Sequence, residues 1–421
     1  MSREGTIHFA CLYGPLFFTF LLAFWLRPRR RFATGILFAL AWNAALLPWL
    51  DGLARFAGLW SYHFQGPAIG GMPLSFYFGW IIAWGCLGPM LAKVLGGRNG
   101  TVLAVLTALD LLIMPEIVPV LRLQPGWFVG EAVLIAVLLA PSMWLCRWTE
   151  TRQHTGVRSA MLALCFGGIV IGLPMILILG DLENVLRHWQ SQAPHLQVAL
   201  GMAAFLFAVP GLTAMRDLAR SGDGTPVPLD PPGRLVTHGI YSYLRNPMQV
   251  SMTTLLIIES AFINNSWPLI LALLGIVYSE GFARWSEGEE MPARFGKDWT
   301  RYCRSIRPWL PRWKPRIGEP CSLYLDTRCT PCSEVWKWFE RREPEGLSLR
   351  PADQWPGNPL KRVTWHHASS GRTESGVAAI AMGLQHLNLG WALIGWLAGL
   401  PGISHLLGVC FDAAGAGPRK T

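Results

Sequence analysis

Residues 239–263 read GIYSYLRNPMQVSMTTLLIIESAFI. The second half of this stretch is apolar, whereas the first half places an arginine, an asparagine and a proline just after two tyrosines. Charged groups at a membrane boundary are costly, and they usually pair with another group or serve a site. The stretch therefore predicts a helix that enters a membrane, with a polar binding site at its mouth.

Composition indicates a membrane protein. The chain has 421 residues, of which 52% are hydrophobic and 15% are charged, whereas soluble domains average about 25% charged residues. Nine apolar stretches reach, or nearly reach, the roughly 20 residues that a helix needs to cross a hydrocarbon core of about 30 Å. They are residues 6–26, 32–50, 74–95, 101–121, 127–146, 159–180, 196–214, 248–263 and 267–285, and the last two predict a tight hairpin.

Lysine and arginine are distributed unevenly between the loops on the two sides of these nine spans. One set of loops carries 22 of these residues and the other carries four. Since basic loops stay on the cytosolic side, we expect the N-terminus outside and the C-terminal domain in the cytosol, in a membrane such as the bacterial inner membrane. The net charge of +10 then faces anionic lipid, and we expect no nucleic-acid partner.

The chain divides into three predicted blocks. Residues 1–155 form five spans of unknown role, residues 156–315 form four spans with long cytosolic segments, and residues 320–421 open with the strand pattern CSLYLD. The apolar end of the third block is broken by Leu-Pro-Gly at 400–402, so we expect two packed helices there and not a tenth span. The predicted fold is a mainly α-helical polytopic membrane protein with a C-terminal α/β thioredoxin-like domain.

A second charged segment, EGEEMPARFGKDWTRYCRSIRPWLPRW, follows at residues 287–313. The hairpin before it returns Glu289 and Glu290 to the depth of Arg245. A zwitterionic cofactor with a cationic centre suits this mixture, because arginine pairs with a carboxylate and tyrosine faces attract a sulfonium. The alternatives are an interfacial anchor for Arg245 and an amphipathic segment that lies on lipid.

Together the two segments resemble the membrane methyltransferases typified by isoprenylcysteine carboxyl methyltransferase and the bacterial phospholipid methyltransferases. The family pattern is G-x-Y-x-x-x-R-[HN]-P, a helical hairpin, E-E, F-G-x-x-[YW]-x-x-Y and W-x-P. The matching residues are Gly239, Tyr241, Arg245, Asn246, Pro247, Glu289, Glu290, Phe295, Gly296, Trp299, Tyr302, Trp309 and Pro311.

The resemblance implies S-adenosylmethionine as cofactor, no metal, and methyl transfer to a lipophilic or thiol substrate that enters from the membrane. It implies catalytic roles for Arg245 and Glu290. The cofactor-binding residues that it implies are Gly239, Tyr241, Tyr243, Arg245, Asn246, Pro247, Glu289 and Glu290. Asn246 stands where the isoprenylcysteine enzymes have histidine, and Gln249 stands where tyrosine is usual. The acceptor is therefore left open between an isoprenoid, a lipid amine, a carboxylate and a thiol.

Residues 323–332, LYLDTRCTPC, carry a Cys-x-x-Cys motif after a predicted strand. A helix that opens at such a motif is a thioredoxin-like arrangement, and a helix N-terminus favours the thiolate of the first cysteine. The segment resembles the DCC-type thiol-disulfide oxidoreductases through Asp326, Cys329 and Cys332. The resemblance implies Cys329 and Cys332 as catalytic thiols, with thioredoxin or glutathione as partners. A zinc site and an inert motif are the alternatives.

The first block contains acidic residues in or near an apolar span, Asp110 and Glu116. Ionisable groups at such depth are functional hypotheses by default. The run GLWSYHFQGPAIGGMPL (58–74) and the later Asp110, Pro115 and Gly126 resemble membrane proteins of carotenoid metabolism, of the hydratase and lycopene-cyclase kind. This resemblance implies an isoprenoid substrate, and structural helix packing is the alternative.

We therefore expect an integral membrane methyltransferase that depends on S-adenosylmethionine and is fused to a thiol-disulfide oxidoreductase. The alternative is a membrane-anchored oxidoreductase or redox sensor without methyl transfer. The paired motifs around Arg245 and Glu289–Glu290 argue against a bare anchor.

The charge distribution predicts which loops can be labelled from outside the cell. Single cysteines at positions 64 and 187, in a background without other reactive thiols, should react with a membrane-impermeant reagent, whereas one at position 222 should not. Labelling only at position 222 would place the Arg245 motif on the outer side and contradict the predicted orientation.

Overall fold

The computed structural model describes residues 2–222, 224–225, 233–328, 330–368 and 370–413. The chain forms two compact units. The first unit comprises the described parts of Met1–Gly201 and Ile258–Pro268, and the second comprises those of Met202–Pro226, Pro231–Ile257 and Leu269–Thr421.

Apolar helices dominate the described residues. Eight of them are long and apolar enough to cross a membrane: α1 (Arg3–Leu26), α2 (Arg30–Phe56), α3 (Leu74–Val94), α4 (Asn99–Ile117), α5 (Trp127–Thr151), α6 (Thr155–Leu179), α8 (Pro194–Ser221) and α10 (Trp267–Ser305). The shorter helices between them are α7 (Leu182–Ser191) and α9 (Pro247–Ile263).

These helices coincide with the spans that hydropathy predicts. The first seven predicted spans and the ninth each fall on one of the eight long helices. The eighth, predicted at 248–263, corresponds to α9, whose 17 residues are short for a crossing. The prediction of a mainly helical polytopic chain is confirmed, and the helices indicate association with a lipid bilayer.

Helix α2 packs against α3, α5 and α6 in the first unit. Its approach to α5 depends on Gly35, where a Cβ atom would lie 2.7 Å from the carbonyl oxygen of Cys146. Gly168 likewise allows α6 to approach α2, since a Cβ atom at Gly168 would lie 2.7 Å from the Cβ of Ala45. Small residues at such contacts allow helix backbones to approach closely in a membrane.

A buried aspartate organises the polar interior of the first unit. Asp51 on α2 is 1% exposed and accepts hydrogen bonds from Arg55 (2.9 Å), the Trp60 indole (3.0 Å) and the Tyr62 hydroxyl (2.9 Å). These donors offset the cost of burying the carboxylate. The short strands of this unit are β1 (Trp60–Tyr62), β2 (Ala68–Ile69), β3 (Met72–Pro73) and β4 (Leu121–Leu123), paired antiparallel as β1 with β4 and β2 with β3.

The two acidic residues noted in the fourth span differ in environment. Asp110 accepts a hydrogen bond from the Trp80 indole (3.4 Å) and lies within electrostatic reach of Glu131, which is buried. Glu116 is exposed. A functional role for Asp110 and Glu116 stays a prediction, and Glu131 is a neighbour that the sequence analysis did not single out.

The core of the second unit joins distant segments of the chain. Its buried residues include Val209, Leu218, Ile240, Tyr241, Tyr243, Leu244, Tyr302, Ile306, Ala392 and Trp396. Tyr243 is completely buried, and its ring meets that of Trp396 edge to face, with centroids 5.6 Å apart. Its hydroxyl donates to the carbonyl oxygen of Gln385 (2.9 Å). The segment around Tyr243 is therefore fixed by residues that come much later in the chain.

A four-stranded mixed sheet follows in the order β6-β5-β7-β8. The strands are β5 (Cys321–Leu325), β6 (Leu347–Pro351), β7 (Thr364–His367) and β8 (Thr373–Ser375). β5 pairs parallel with β6 and antiparallel with β7, which pairs antiparallel with β8. The helices beside the sheet are α11 (Thr330–Glu340), between β5 and β6, and α12 (Val377–Leu384). Leu323, Phe339, Trp365 and Met382 belong to the buried cluster that the sheet and both helices share.

The apolar end of the chain forms two helices, as the break at Leu-Pro-Gly predicts. They are α13 (Leu389–Ala398) and α14 (Pro401–Phe411), and their axes differ by 85°. Asn388 caps α13, because its side chain accepts a hydrogen bond from the Trp391 N–H (3.2 Å). The block boundaries at residues 155 and 320 stay predictions.

Two histidines of the second unit are buried in the neutral form. Burial lowers the pKa of His386 to about 4, although its hydrogen bond to the Glu345 carbonyl acts the other way. Burial also lowers the pKa of His238 to about 4, with Asp217 opposing the shift. Between the ordinary histidine pKa of 6.5 and these values, the unfolded chain binds protons that the folded chain does not.

The protein should therefore lose stability as pH falls from about 6.5 towards 4, by on the order of 3 kcal/mol for each histidine. Thermal unfolding of the purified protein at pH 7.5, 6 and 5 measures this loss. His386→Gln should reduce the dependence on pH, whereas His405→Gln, at an exposed histidine, should not. A wild-type unfolding temperature that is constant from pH 7.5 to 5 would contradict the prediction.

Candidate active site

The two halves of the charged motif meet through backbone hydrogen bonds. The segment that begins at Gly239 lies against the segment that ends near Arg316. The amide–carbonyl pairs are Arg245 to Arg307 (3.0 Å), Asn246 to Pro308 (3.2 Å), Arg312 to Tyr243 (3.0 Å) and Arg316 to Ser242 (3.0 Å). The Tyr302 hydroxyl adds a bond to the Tyr241 carbonyl (3.0 Å). Residues separated by the hairpin therefore form one small framework.

Local breaks in α10 shape the second half of this framework. A π-helical turn at Ser279–Ala283 interrupts the helix, and such turns are frequent at functional sites. A kink follows at Gly296, whose φ of 56° and ψ of −133° are non-helical. Because glycine tolerates positive φ, the Phe295–Gly296 step of the motif changes the direction of the chain.

Arg245 is the centre of a charged cluster. Its guanidinium lies within electrostatic reach of Glu280, Glu287 and the thiol of Cys303. Glu280 sits on the π-helical turn, where it accepts hydrogen bonds from the Trp309 indole (2.5 Å) and from Arg284 (2.8 Å). Trp309 thereby connects the end of the motif to the Glu280 carboxylate, which lies within electrostatic reach of Arg245.

Two buried polar atoms at this place have no hydrogen-bond partner among the described residues. They are Nε of Arg245 and Oε1 of Gln249. Both residues flank the start of α9 at Pro247, and a helix N-terminus carries partial positive charge. Leaving a buried polar group unpaired costs about 1–3 kcal/mol, so each such group requires an explanation. A ligand that brings an acceptor to Arg245 and a donor to Gln249 would satisfy both.

The motif residues before Arg245 lie mostly in the protein core. Gly239 has φ of 64°, and a side chain there would overlap the Asp217 carboxylate. Tyr241 is buried and its hydroxyl faces the Ala214 carbonyl (3.5 Å), while Tyr243 packs on Trp396. The direct contacts of Gly239, Tyr241 and Tyr243 therefore support the framework of the site, and a contact with the cofactor stays a prediction for all three. Asn246 and Pro247 lie beside Arg245, at the start of α9.

The predicted glutamates differ from Glu287 in exposure. Glu289 and Glu290 are exposed, whereas the half-buried Glu280 and Glu287 lie within electrostatic reach of Arg245, and the roles of Glu289 and Glu290 in the site stay predictions. The adjacent Glu289–Glu290 pair matches the family pattern, and Glu287 is a nearby acidic residue that this pattern does not include.

The Cys-x-x-Cys motif is described in part. Cys332 lies in the first turn of α11 and is half-buried, whereas Cys329 lies outside the described residues. Before it, the Asp326 carboxylate accepts a hydrogen bond from the Arg328 N–H (2.9 Å). Cys321, at the start of β5, has its pKa raised to about 12, chiefly by burial, so its thiol stays protonated near neutral pH.

Comparison with known proteins gives one result for this chain. Residues 196–298 match the family model of phospholipid methyltransferases. No curated protein and no solved structure matches the chain. The matched segment contains Arg245, Glu280 and Glu287 but ends before Cys303 and Trp309. The match supports a membrane methyltransferase, in agreement with the resemblance found in the sequence.

Proposed function

We propose that the chain is a membrane methyltransferase that uses S-adenosylmethionine, with its cofactor site at Arg245, Glu280 and Glu287. The observation that carries this proposal is the buried, unpaired Nε of Arg245 within electrostatic reach of two carboxylates, those of Glu280 and Glu287. The family match at residues 196–298 supplies the class of reaction. An interfacial anchor would instead keep its guanidinium in contact with water or lipid headgroups.

The residues present fit a zwitterionic cofactor. Arg245 would receive the carboxylate of its amino-acid end, since a guanidinium pairs well with a carboxylate. Glu287 would accept hydrogen bonds from the ammonium group or the ribose hydroxyls, and Gln249 offers a further acceptor. When bound, S-adenosylmethionine supplies an electrophilic methyl group.

The protein's own residues orient and desolvate the reactants in this proposal. The backbone N–H of Arg245 donates to the Arg307 carbonyl oxygen (3.0 Å), so little reorientation of this segment is needed on binding. Arg245 and Glu287 are half-buried, and a bound cofactor would exclude the remaining water, which would strengthen the electrostatic contacts of the site. Glu287 is also placed to accept a proton if the nucleophile carries one. The acceptor that we propose is lipophilic, since the site opens at the start of an apolar helix.

Binding of S-adenosylmethionine by the detergent-purified chain tests the proposal. Arg245→Ala and Glu287→Gln should each weaken binding at least tenfold, about 1.4 kcal/mol, because each removes a charged hydrogen bond. Titration calorimetry measures the affinity, and S-adenosylhomocysteine serves as a second ligand.

Glu290→Gln is the matched control, three residues further along the same helix. It should bind the cofactor like the wild type if Glu287 is the ligand. Weakening by Glu290→Gln alone would instead favour the residue that the sequence pattern implies. Absence of binding by the wild type would contradict the proposal.

A second activity, thiol-disulfide exchange, is favoured by the order of elements around Cys332. Strand β5 ends at Leu325, α11 begins at Thr330, and β6 returns parallel to β5. This arrangement supports the proposal of a thioredoxin-like domain in which Cys329 and Cys332 exchange disulfides with thioredoxin or glutathione. Cytosolic placement would suit a dithiol that is kept reduced between turnovers.

The two cysteines should differ in trapping experiments. In the full-length protein, the Cys329 thiolate should attack a partner disulfide and release the partner's other sulfur as a thiolate. Cys332→Ser should then accumulate the mixed disulfide, since the resolving thiol is gone, and Cys329→Ser should accumulate none. Non-reducing electrophoresis measures both. Equal trapping by the two variants would contradict the assigned roles, and no trapping by either would favour an inert motif.

A further inference from the structure

The last helix of the described chain, α14 (Pro401–Phe411), is apolar on every side. Its sequence PGISHLLGVCF contains no aspartate, glutamate, lysine or arginine. All eleven of its residues are described, and none of them is buried. A helix that is apolar all round is expected in a protein core or in a membrane. Because α14 does not lie in a core, its uncovered surface requires a partner.

The exposed side of α14 forms one continuous strip. Leu406 and Val409 are 63% and 54% exposed, and Cys410 is exposed beside them. These residues are three and four apart and therefore lie on one face of the helix, with exposed His405 at its edge. The opposite side, which includes half-buried Ile403, packs on α12 and α13. We call the strip of Leu406, Val409 and Cys410 the α14 face.

Neither α13 nor α14 is long enough to cross a bilayer. They contain 10 and 11 residues, so each is about 15–17 Å long, roughly half the thickness of a hydrocarbon core. Their axes differ by 85°, so the two helices do not combine into one straight span. Apolar helices of this length in a membrane protein enter one leaflet or lie at its boundary.

Two contacts fix the depth of the bend between α13 and α14. Arg216, near the end of the membrane-spanning helix α8, donates to the Gly399 carbonyl oxygen (2.5 Å). Trp396 on α13 packs against Tyr243, four residues before the apolar helix α9 begins at Pro247. The bend therefore lies beside the end of one apolar helix and the start of another. This position is the boundary of the membrane, and α14 begins there.

The polar backbone groups of the bend are bonded within the protein. The N–H groups of Gly399 and Leu400 donate to carbonyl oxygens of α13 (2.9 and 3.2 Å), and the Leu400 carbonyl oxygen accepts from the Ser404 N–H (2.7 Å). The Gly399 carbonyl oxygen accepts from Arg216. Non-helical backbone is tolerated at membrane depth where such groups are satisfied by the protein, and the bend meets this requirement.

We propose that the α14 face lies in the lipid of one leaflet and attaches the C-terminal part of the second unit to the bilayer. The face has no charged side chain that would attract an anionic headgroup or a charged protein, so the partner that we infer is the lipid hydrocarbon. Charge appears where α14 ends, since Asp412 pairs with Arg362 through two hydrogen bonds of 2.6 Å. The inference does not depend on methyl transfer.

Spin labels on the full-length protein test this inference. Leu406→Cys and Val409→Cys, each in a background without other reactive thiols, are labelled with a nitroxide. The protein is placed in nanodiscs of phosphatidylcholine and phosphatidylglycerol that hold one chain each. Oxygen concentrates in lipid and a nickel chelate stays in water, so electron paramagnetic resonance measures which of the two collides with each label. Both labels should collide more with oxygen than with the nickel chelate.

Glu340→Cys is the matched control, because Glu340 is an exposed and charged residue at the end of another helix of the same unit, α11. Its label should collide more with the nickel chelate, so the order of the two reagents should reverse between α11 and α14. Each labelled variant should unfold at the temperature of the wild type. If one of the α14 variants does not, the other carries the test.

Two outcomes would overturn the inference. Greater collision with the nickel chelate at both α14 positions would place the face in water. Protection of both labels from both reagents would show that protein covers the face. Protection that appears only in nanodiscs holding two chains would identify that protein as a second copy.

Discussion

The second unit depends on one buried carboxylate, that of Asp217. Arg216 pairs with it at 2.9 Å and Arg372 at 3.6 Å, so α8 and the strand region near β8 are tied to the same charge. Gly239 packs directly on its oxygen, where any side chain would overlap. Removing one partner of such a buried pair leaves an uncompensated charge and costs about 3–5 kcal/mol. Asp217 thus fixes where the motif begins.

The position of Arg245 follows from that constraint. Tyr243 stands two residues before it, with its ring against Trp396 and its hydroxyl on the Gln385 carbonyl. The residue after Arg245 is held at its backbone by Pro308. Because the residues on both sides of Arg245 are fixed, its backbone has few alternative conformations. Such a rigid framework preorganises a site. The C-terminal residues therefore contribute to the geometry of the charged cluster, although they lie far outside the matched segment.

The sequence allowed the spans, the motif and its two-part construction to be predicted, because each depends on local pattern. Hydropathy depends on consecutive residues, whereas the π-helical turn that carries Glu280 breaks the regular spacing on which a prediction of its neighbours would depend. The contacts of Tyr243 could not have been foreseen. Its partner Trp396 lies in an apolar helix whose pattern is equally compatible with contact to lipid. Likewise, nothing near Asp217 in the sequence indicates that Arg372 will pair with it, since such pairing depends on how the sheet packs.

The charged cluster also explains why a site of this kind can bind a charged ligand at the edge of an apolar helix. The guanidinium of Arg245 has already lost water at Nε, and the rest of the framework offsets that cost of about 1–3 kcal/mol. A carboxylate that arrives there therefore meets a desolvated donor and does not have to displace tightly held water from it. Glu280 and Glu287 offset the positive charge of Arg245, so the cluster does not carry an unbalanced cation before a ligand binds. The same pair of carboxylates would disfavour a purely anionic ligand, which agrees with our proposal of a cofactor that carries both signs of charge.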